Sequence, residues 1–143
     1  MIKHAFILDS MPGKRHLDAR KSQPSAFQTV VDAPILQWLN RALQECEIES
    51  VTYVGSYHIE KVIQSFPNFQ YCYYSQWDSD GEVAALIKAG IQFSDNCIII
   101  RSNTLLLPTA IKAMINAENP AYGIYATSDG QRNFAGIITL GND

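Results

Sequence analysis

Lys14, Arg15, Arg20 and Lys21 crowd into one short stretch with Asp18 the only acid among them and Gly13 just ahead. A glycine that lets backbone N–H groups come close, followed by fixed cations, can hold a polyphosphate and offset negative charge as it develops. The same residues also suit an ordinary solvated loop, and on residue types alone both readings stay open. Neither G-x-G-x-x-G nor G-x-x-x-x-G-K-[ST] occurs, which disfavours dinucleotide-binding dehydrogenases and P-loop NTPases.

Other groups able to do chemistry are scattered. Arg101-Ser102-Asn103-Thr104 follows an apolar run, where a phosphoryl-transfer site would carry a metal-binding carboxylate. Asn103 offers only a neutral carbonyl oxygen, and Mg2+ prefers carboxylates and substrate phosphates. Tyr71, Tyr73, Tyr74 and Trp77 form an aromatic group that either stacks on a base or closes a sheet edge. In Trp77-Asp78-Ser79-Asp80-Gly81-Glu82 the plainest role for Asp80 is helix capping. His4, His16 and His58 share no metal-ligand spacing and read as surface or loop residues. No G-x-S-x-G elbow is present, so a Ser/His/Asp nucleophile has no local support. Cys46, Cys72 and Cys97 are odd in number and far apart, as expected of reduced, mostly buried small hydrophobes.

The elements that must position these residues alternate in period. With 143 residues, 47% hydrophobic and 17% charged, the chain suits one folded domain. A net charge of -3 argues against a general grip on nucleic acid or an anionic membrane. No apolar run reaches bilayer length and the first residues lack a signal-peptide pattern, so a cytoplasmic protein is expected. Ala5-Phe6-Ile7-Leu8 is continuous, as in a parallel strand covered on both faces. Residues 9–32 have no periodicity and form a long connection. Asp32 is then expected to cap a helix with Pro34 in its first turn and Ile35, Leu36, Leu39, Ala42, Leu43 and Cys46 inward.

Strand Val51–Val54, a helix with Ile59, Val62, Ile63 and Phe66 at helical spacing on one face, strand Phe69–Tyr74, a helix from Gly81, strand Cys97–Ile100 and a helix opened by Pro108 follow. The Gly81 helix is expected to turn Val83, Leu86, Ile87 and Ile91 inward, and the Pro108 helix Ile111, Met114 and Ile115. Residues 122–127 and 134–140 read as two strands joined around Asp129-Gly130. The order βαβαβαβαββ predicts a three-layer α/β/α sandwich with a Rossmann-like, mostly parallel sheet. In such a fold, ligands bind beyond the carboxyl ends of the strands, here after Leu8, Val54, Tyr74 and Ile100.

In that order the stretches resemble the N-terminal part of the sugar-phosphate nucleotidyltransferases and of the related phosphocholine and molybdopterin nucleotidyltransferases. The family's L-A-A-G-x-G-x-R signature, Pro-Lys pair, G-x-P-[IML]-[IL] helix start, T-G-Y-like turn, Gly-initiated helix and strand ending in Gly-Asp find counterparts along the chain. They are Leu8–Arg15, Pro24-Ser25, Asp32–Leu36, Val54–Tyr57, Asp80-Gly81 and Ile100–Asn103. The resemblance implies a nucleotide-diphospho-sugar transferase fold over 1–143. It also implies attack of a phosphorylated acceptor, such as a sugar phosphate, on the α-phosphate of an NTP, with Mg2+ and release of pyrophosphate. It places Gly13, Lys14 and Arg15 on the triphosphate, Gly81 near the base and Asn103 at the metal-ligand position.

Three positions depart from the family pattern: Met11 replaces the first glycine, Ser25 the phosphate-contacting lysine and Asn103 the metal-binding aspartate. Each removes a charge or a close approach, so the resemblance leaves two readings, a transferase or a relative that binds a nucleotide, a sugar nucleotide or a protein partner without turnover. Family members also continue into more sheet and an acceptor-binding region, so the chain reads as either a fragment or a reduced relative. A homo-oligomer is compatible with either.

Overall fold

A computed structural model describes residues 2–9, 24–27, 29–91, 96–102, 104–117, 122–126 and 132–139. The chain runs through β1 (His4–Asp9), a 3-10 turn (Ser25–Phe27), β2 (Thr29–Val30), β3 (Ala33–Pro34), α1 (Ile35–Glu45), β4 (Ser50–Gly55) and α2 (Ile59–Ser65). It continues through β5 (Gln70–Tyr73), α3 (Trp77–Lys88), β6 (Asn96–Arg101), α4 (Pro108–Ile115), β7 (Tyr122–Ala126) and β8 (Arg132–Thr139). Six strands form one sheet in the order β5-β4-β1-β6-β8-β7, and β2 and β3 form a separate hairpin. β5, β4, β1 and β6 are mutually parallel, whereas β8 runs antiparallel between β6 and β7. This is the expected α/β sandwich around a mostly parallel sheet.

Alternation along the central strands splits the core in two. Ala5, Ile7, Val51, Tyr53, Ile98 and Ile100 face α1, α2 and α4, meeting Leu36, Leu39, Leu43, Val62, Ile111 and Met114. Phe6, Leu8, Val54, Cys97 and Ile99 face α3, meeting Trp77, Ala85 and Leu86. Continuous apolar runs therefore mark strands covered on both sides, each large buried side chain contributing ~1.5–3 kcal/mol. The inward residues of α1 and α4 are those the spacing predicts.

Three local expectations are corrected. Asp32 does not cap α1: it lies in the turn of the β2–β3 hairpin beside Val31, whose φ is 47°, and the helix opens on Pro34 without a side-chain cap. Trp38 Nε1 donates to Val30 O at 2.8 Å and ties that hairpin to α1. In α2, Ile63 is exposed and Val62 is the buried residue. α3 starts at Trp77 and Gly81 interrupts it with φ 79°, ψ -177°, so Ala85 and Leu86 take the inward positions while Val83 and Ile87 face solvent. A helical wheel begun at Gly81 cannot see the turn that precedes it.

Candidate active site

β1 lies between β4 and β6, so the chain winds outward through β4 and β5 and then returns across β1 to place β6. In open α/β sheets ligands bind in the crevice that such a reversal leaves beyond the strands' carboxyl ends, here those of β1 and β6. Register puts Asp9 beside Gly55 and Leu8 beside Arg101. Ser102 N donates to Leu8 O at 2.9 Å and extends the β1–β6 contact by one residue.

Asp9 ends β1 only 4% exposed and accepts a short hydrogen bond from the Tyr53 hydroxyl, itself 1% exposed. A buried carboxylate needs such a partner, because desolvating it unpaired costs several kcal/mol. Burial pushes the Tyr53 phenol well above its ordinary range, and the Asp9 charge and hydrogen bond push it further. Gly55 makes the pair sterically workable, since a Cβ there would lie 3.0 Å from Tyr53 Cε1 and 3.3 Å from Asp9 Cβ. The glycine of the T-G-Y-like turn is thus a space requirement here.

Beyond β5, Tyr74 N donates to Gly55 O at 2.9 Å and its hydroxyl to Asp80 Oδ2 at 3.2 Å. Its phenol is raised by burial and by that bond to Asp80. Trp77 packs edge-on against Tyr74 with centroids 5.2 Å apart. Asp80 therefore holds Tyr74, and no side chain caps the start of α3. Gly81 adopts a backbone conformation nearly exclusive to glycine, and a Cβ there would meet nothing within 4 Å, so its requirement is conformational. The break sets Glu82 opposite Arg101, whose Nε and Nη2 reach Glu82 Oε1 and Oε2 at 3.0 and 3.2 Å. That planar fork fixes a guanidinium at the mouth of the crevice.

Among the described residues three buried polar atoms have no hydrogen-bond partner: Ser56 Oγ, Trp77 Nε1 and Thr104 Oγ1. They follow β4, β5 and β6 respectively, all on the carboxyl side of the sheet. Native structures leave few such groups, and those that persist often await a ligand, ion or water.

Of the residues singled out from the sequence, Met11, Gly13, Lys14, Arg15 and Asn103 lie outside the described residues, as does His16. Ser25 opens the 3-10 turn, and Gly81 lies on α3 beside the Arg101–Glu82 pair. The aromatic group does not hold together: Tyr71 packs on the α1 and α2 face near Tyr53, Tyr74 and Trp77 pack on the α3 face, and Tyr73 is exposed. His4 is no surface residue, being half-buried and bonded across the sheet, whereas His58 pairs with Glu60 at 3.0 Å near the surface. None of the three cysteines is in a disulfide, Cys97 being buried and Cys46 and Cys72 half-buried. Sequence reasoning missed Asp9, Tyr53 and the Glu82–Arg101 pair. The one available signal was a carboxylate directly ending an apolar central strand.

Among the described residues no three His, Cys, Asp or Glu side chains gather as metal ligands. The carboxylates nearest the crevice are engaged, Asp9 by Tyr53, Asp80 by Tyr74 and Glu82 by Arg101. They do not fit a protein-built Mg2+ cage.

No protein-family model matches the sequence, and neither does any curated protein. Solved structures do match. The inositol-1-phosphate CTP transferase from T. maritima superposes with a TM-score of 0.69 at 16% identity, over 96% of this chain and 71% of that one. UDP-glucose pyrophosphorylase complexed with UDP-glucose gives 0.63 at 21% identity, over 90% of this chain and 59% of that one. The apo form of a UDP-glucose pyrophosphorylase gives 0.61 at 20%, with 90% and 60% covered. The fold is thus that of the nucleotidyltransferases, and the chain spans between 59% and 71% of these structures' lengths.

Proposed function

We propose that residues 1–143 act as a single nucleotidyltransferase-like domain that binds an NTP over the carboxyl edge of the sheet. There it transfers NMP to a sugar phosphate or similar phosphorylated acceptor, releasing pyrophosphate. The observation that carries this reading is the strand reversal at β1 and β6, with buried polar atoms on the same side that find no partner among the described residues. In this reading Gly13, Lys14 and Arg15 hold the triphosphate, Met11 and Ser25 border it, Gly81 borders the base and Asn103 takes the metal-ligand position. Mg2+ enters chiefly on the triphosphate, since this metal binds readily through phosphate oxygens and one or two protein groups.

A second reading, binding of nucleotide or sugar nucleotide without turnover, is favoured by the engaged carboxylates Asp9, Asp80 and Glu82. One experiment separates the two. Pyrophosphate release is measured with each of the four NTPs, Mg2+ and a panel of sugar phosphates, alongside calorimetric titration of each NTP. Mg2+-dependent turnover supports transfer, whereas titratable binding without pyrophosphate supports the second reading. Absence of both overturns the nucleotide site altogether.

A further inference from the structure

α3 is apolar on two sides. Trp77, Ala85 and Leu86 are buried against the sheet, yet Val83 is 70% and Ile87 62% exposed, and nothing described covers them. This second stripe borders β5, which among the described residues ends the sheet and pairs only with β4. Tyr73, the last residue of β5, is 63% exposed. A concavity of about 500 Å³ is lined there by Tyr73, Asp80, Ala84, Ile87 and Lys88. Large apolar side chains beside an open strand edge form a surface that proteins normally pair or protect.

We propose that a second copy of this chain covers this face, through a two-fold axis perpendicular to the sheet at β5. The charges argue for self-pairing. Asp80 stands near the start of α3 and Lys88 ends it, both on the rim of the same concavity. Among the described residues Lys88 makes no ion pair, and Asp80 accepts only the Tyr74 hydroxyl. A two-fold axis sets the helices antiparallel, so each Asp80 meets Lys88 of the other copy twice over, with Val83 and Ile87 between. Ala84 at the midpoint lets the backbones approach, and the acid near the helix start and the cation near its end also match antiparallel helix dipoles. The same axis runs the two β5 strands antiparallel, the arrangement in which their free edges can bond. An interface resting on two apolar side chains and one charge pair from each copy is expected to be weak, with a dissociation constant on the order of 10 μM. This inference stands independently of the nucleotide reading.

Sedimentation velocity of the whole chain from roughly 2 to 200 μM brackets that constant. Wild type should shift from monomer to dimer. Lys88→Asp and Asp80→Lys should each be monomeric, because each homodimer then sets like charges together twice. An equimolar mixture of the two should dimerise again, since every contact is then Asp with Lys. Ile87→Glu should be monomeric in any mixture. Should Asp80→Lys not fold by circular dichroism, Lys88→Asp must weaken the dimer by ~10-fold more than Lys88→Ala does. A wild type that stays monomeric throughout, a dimer indifferent to these variants, or folded variants that fail to recombine would each overturn the proposal.

Discussion

The two ends of the same sheet treat their polar groups differently. At the amino end, His4 presents Nδ1 to the Ser50 hydroxyl and Nε2 to Thr52 Oγ1 at 2.9 Å, while Thr52 Oγ1 donates to Gln70 Oε1 at 3.2 Å. Because the only hydroxyl proton of Thr52 is used on Gln70, His4 Nε2 must be the donor, and in the neutral ring Nδ1 accepts from Ser50. The chain of bonds crosses β1, β4 and β5, from Ser50 through His4 and Thr52 to the exposed amide of Gln70. At the carboxyl end, Asp9 and Tyr53 are bonded to one another, but Ser56, Trp77 and Thr104 keep buried polar atoms without partners among the described residues. Evenly matched partners make a scaffold, and surplus hydrogen-bonding capacity on one side of it marks where an incoming molecule belongs.

The largest effect that would sharpen this contrast is expected at Tyr53. Tyr53→Phe leaves Asp9 buried without its hydroxyl partner and should cost ~2–3 kcal/mol in urea unfolding. It should also change the alkaline limb of stability. The folded state holds the Tyr53 proton above its ordinary value of 10.0, so below pH 10 the contribution is constant. Above pH 10 the unfolded chain releases that proton and the folded one does not, and stability falls by ~1.4 kcal/mol per pH unit per group. Tyr71, pushed up to about 12 by burial, adds to the loss between pH 10 and 12. Tyr53→Phe should flatten the slope, and an unchanged alkaline transition would refute the pairing.

Next in size is Thr52→Val at the amino end. It removes the partner of His4 Nε2, while the exposed Gln70 amide turns to water, and should cost ~1–2 kcal/mol, with NTP binding by calorimetry unchanged. Gly55→Ala should cost about 1 kcal/mol, since its methyl must push the Tyr53 ring or Asp9 aside by a few tenths of an ångström. Thr104→Val should have the opposite sign, stabilising by ~0.5–1 kcal/mol because an unpartnered buried hydroxyl becomes a methyl, yet weakening NTP binding. If Thr52→Val and Thr104→Val shift stability alike, the difference between the two ends is not real. The smallest effect belongs to Glu82→Gln, which should alter stability by under ~1 kcal/mol, as half-exposed ion pairs do, while releasing the Arg101 fork.

Much of the fold was legible because burial on both faces writes itself into the chain as unbroken apolar runs, as in Phe6–Leu8 and Ile98–Ile100. The inward faces of α1 and α4 were readable from their period for the same reason. α3 was misread because one residue, Gly81, leaves helical geometry and resets the phase, and Val83 and Ile87 are apolar without being buried. Asp32 was misread because a cap and a tight turn draw on the same residue types. The candidate site was the least legible part. Asp9 and Tyr53 are separated by 44 positions, and only the parallel pairing of β1 with β4 brings them together. Glu82 and Arg101 meet only because Gly81 turns the chain just before Glu82 and the 19 positions from there carry it through α3 to the end of β6.

The placement of β8 between β6 and β7 has a bearing on how the protein is made. β1 is synthesised first and ends up at the centre, but the far flank of β6 is bonded by β8, after α4 and β7 have already been produced. Until residues 132–139 leave the ribosome, the hydrogen-bonding row along Asn96–Arg101 has no neighbour on that side. An apolar strand left waiting in this way is a point at which newly made chains are open to chaperones or to one another.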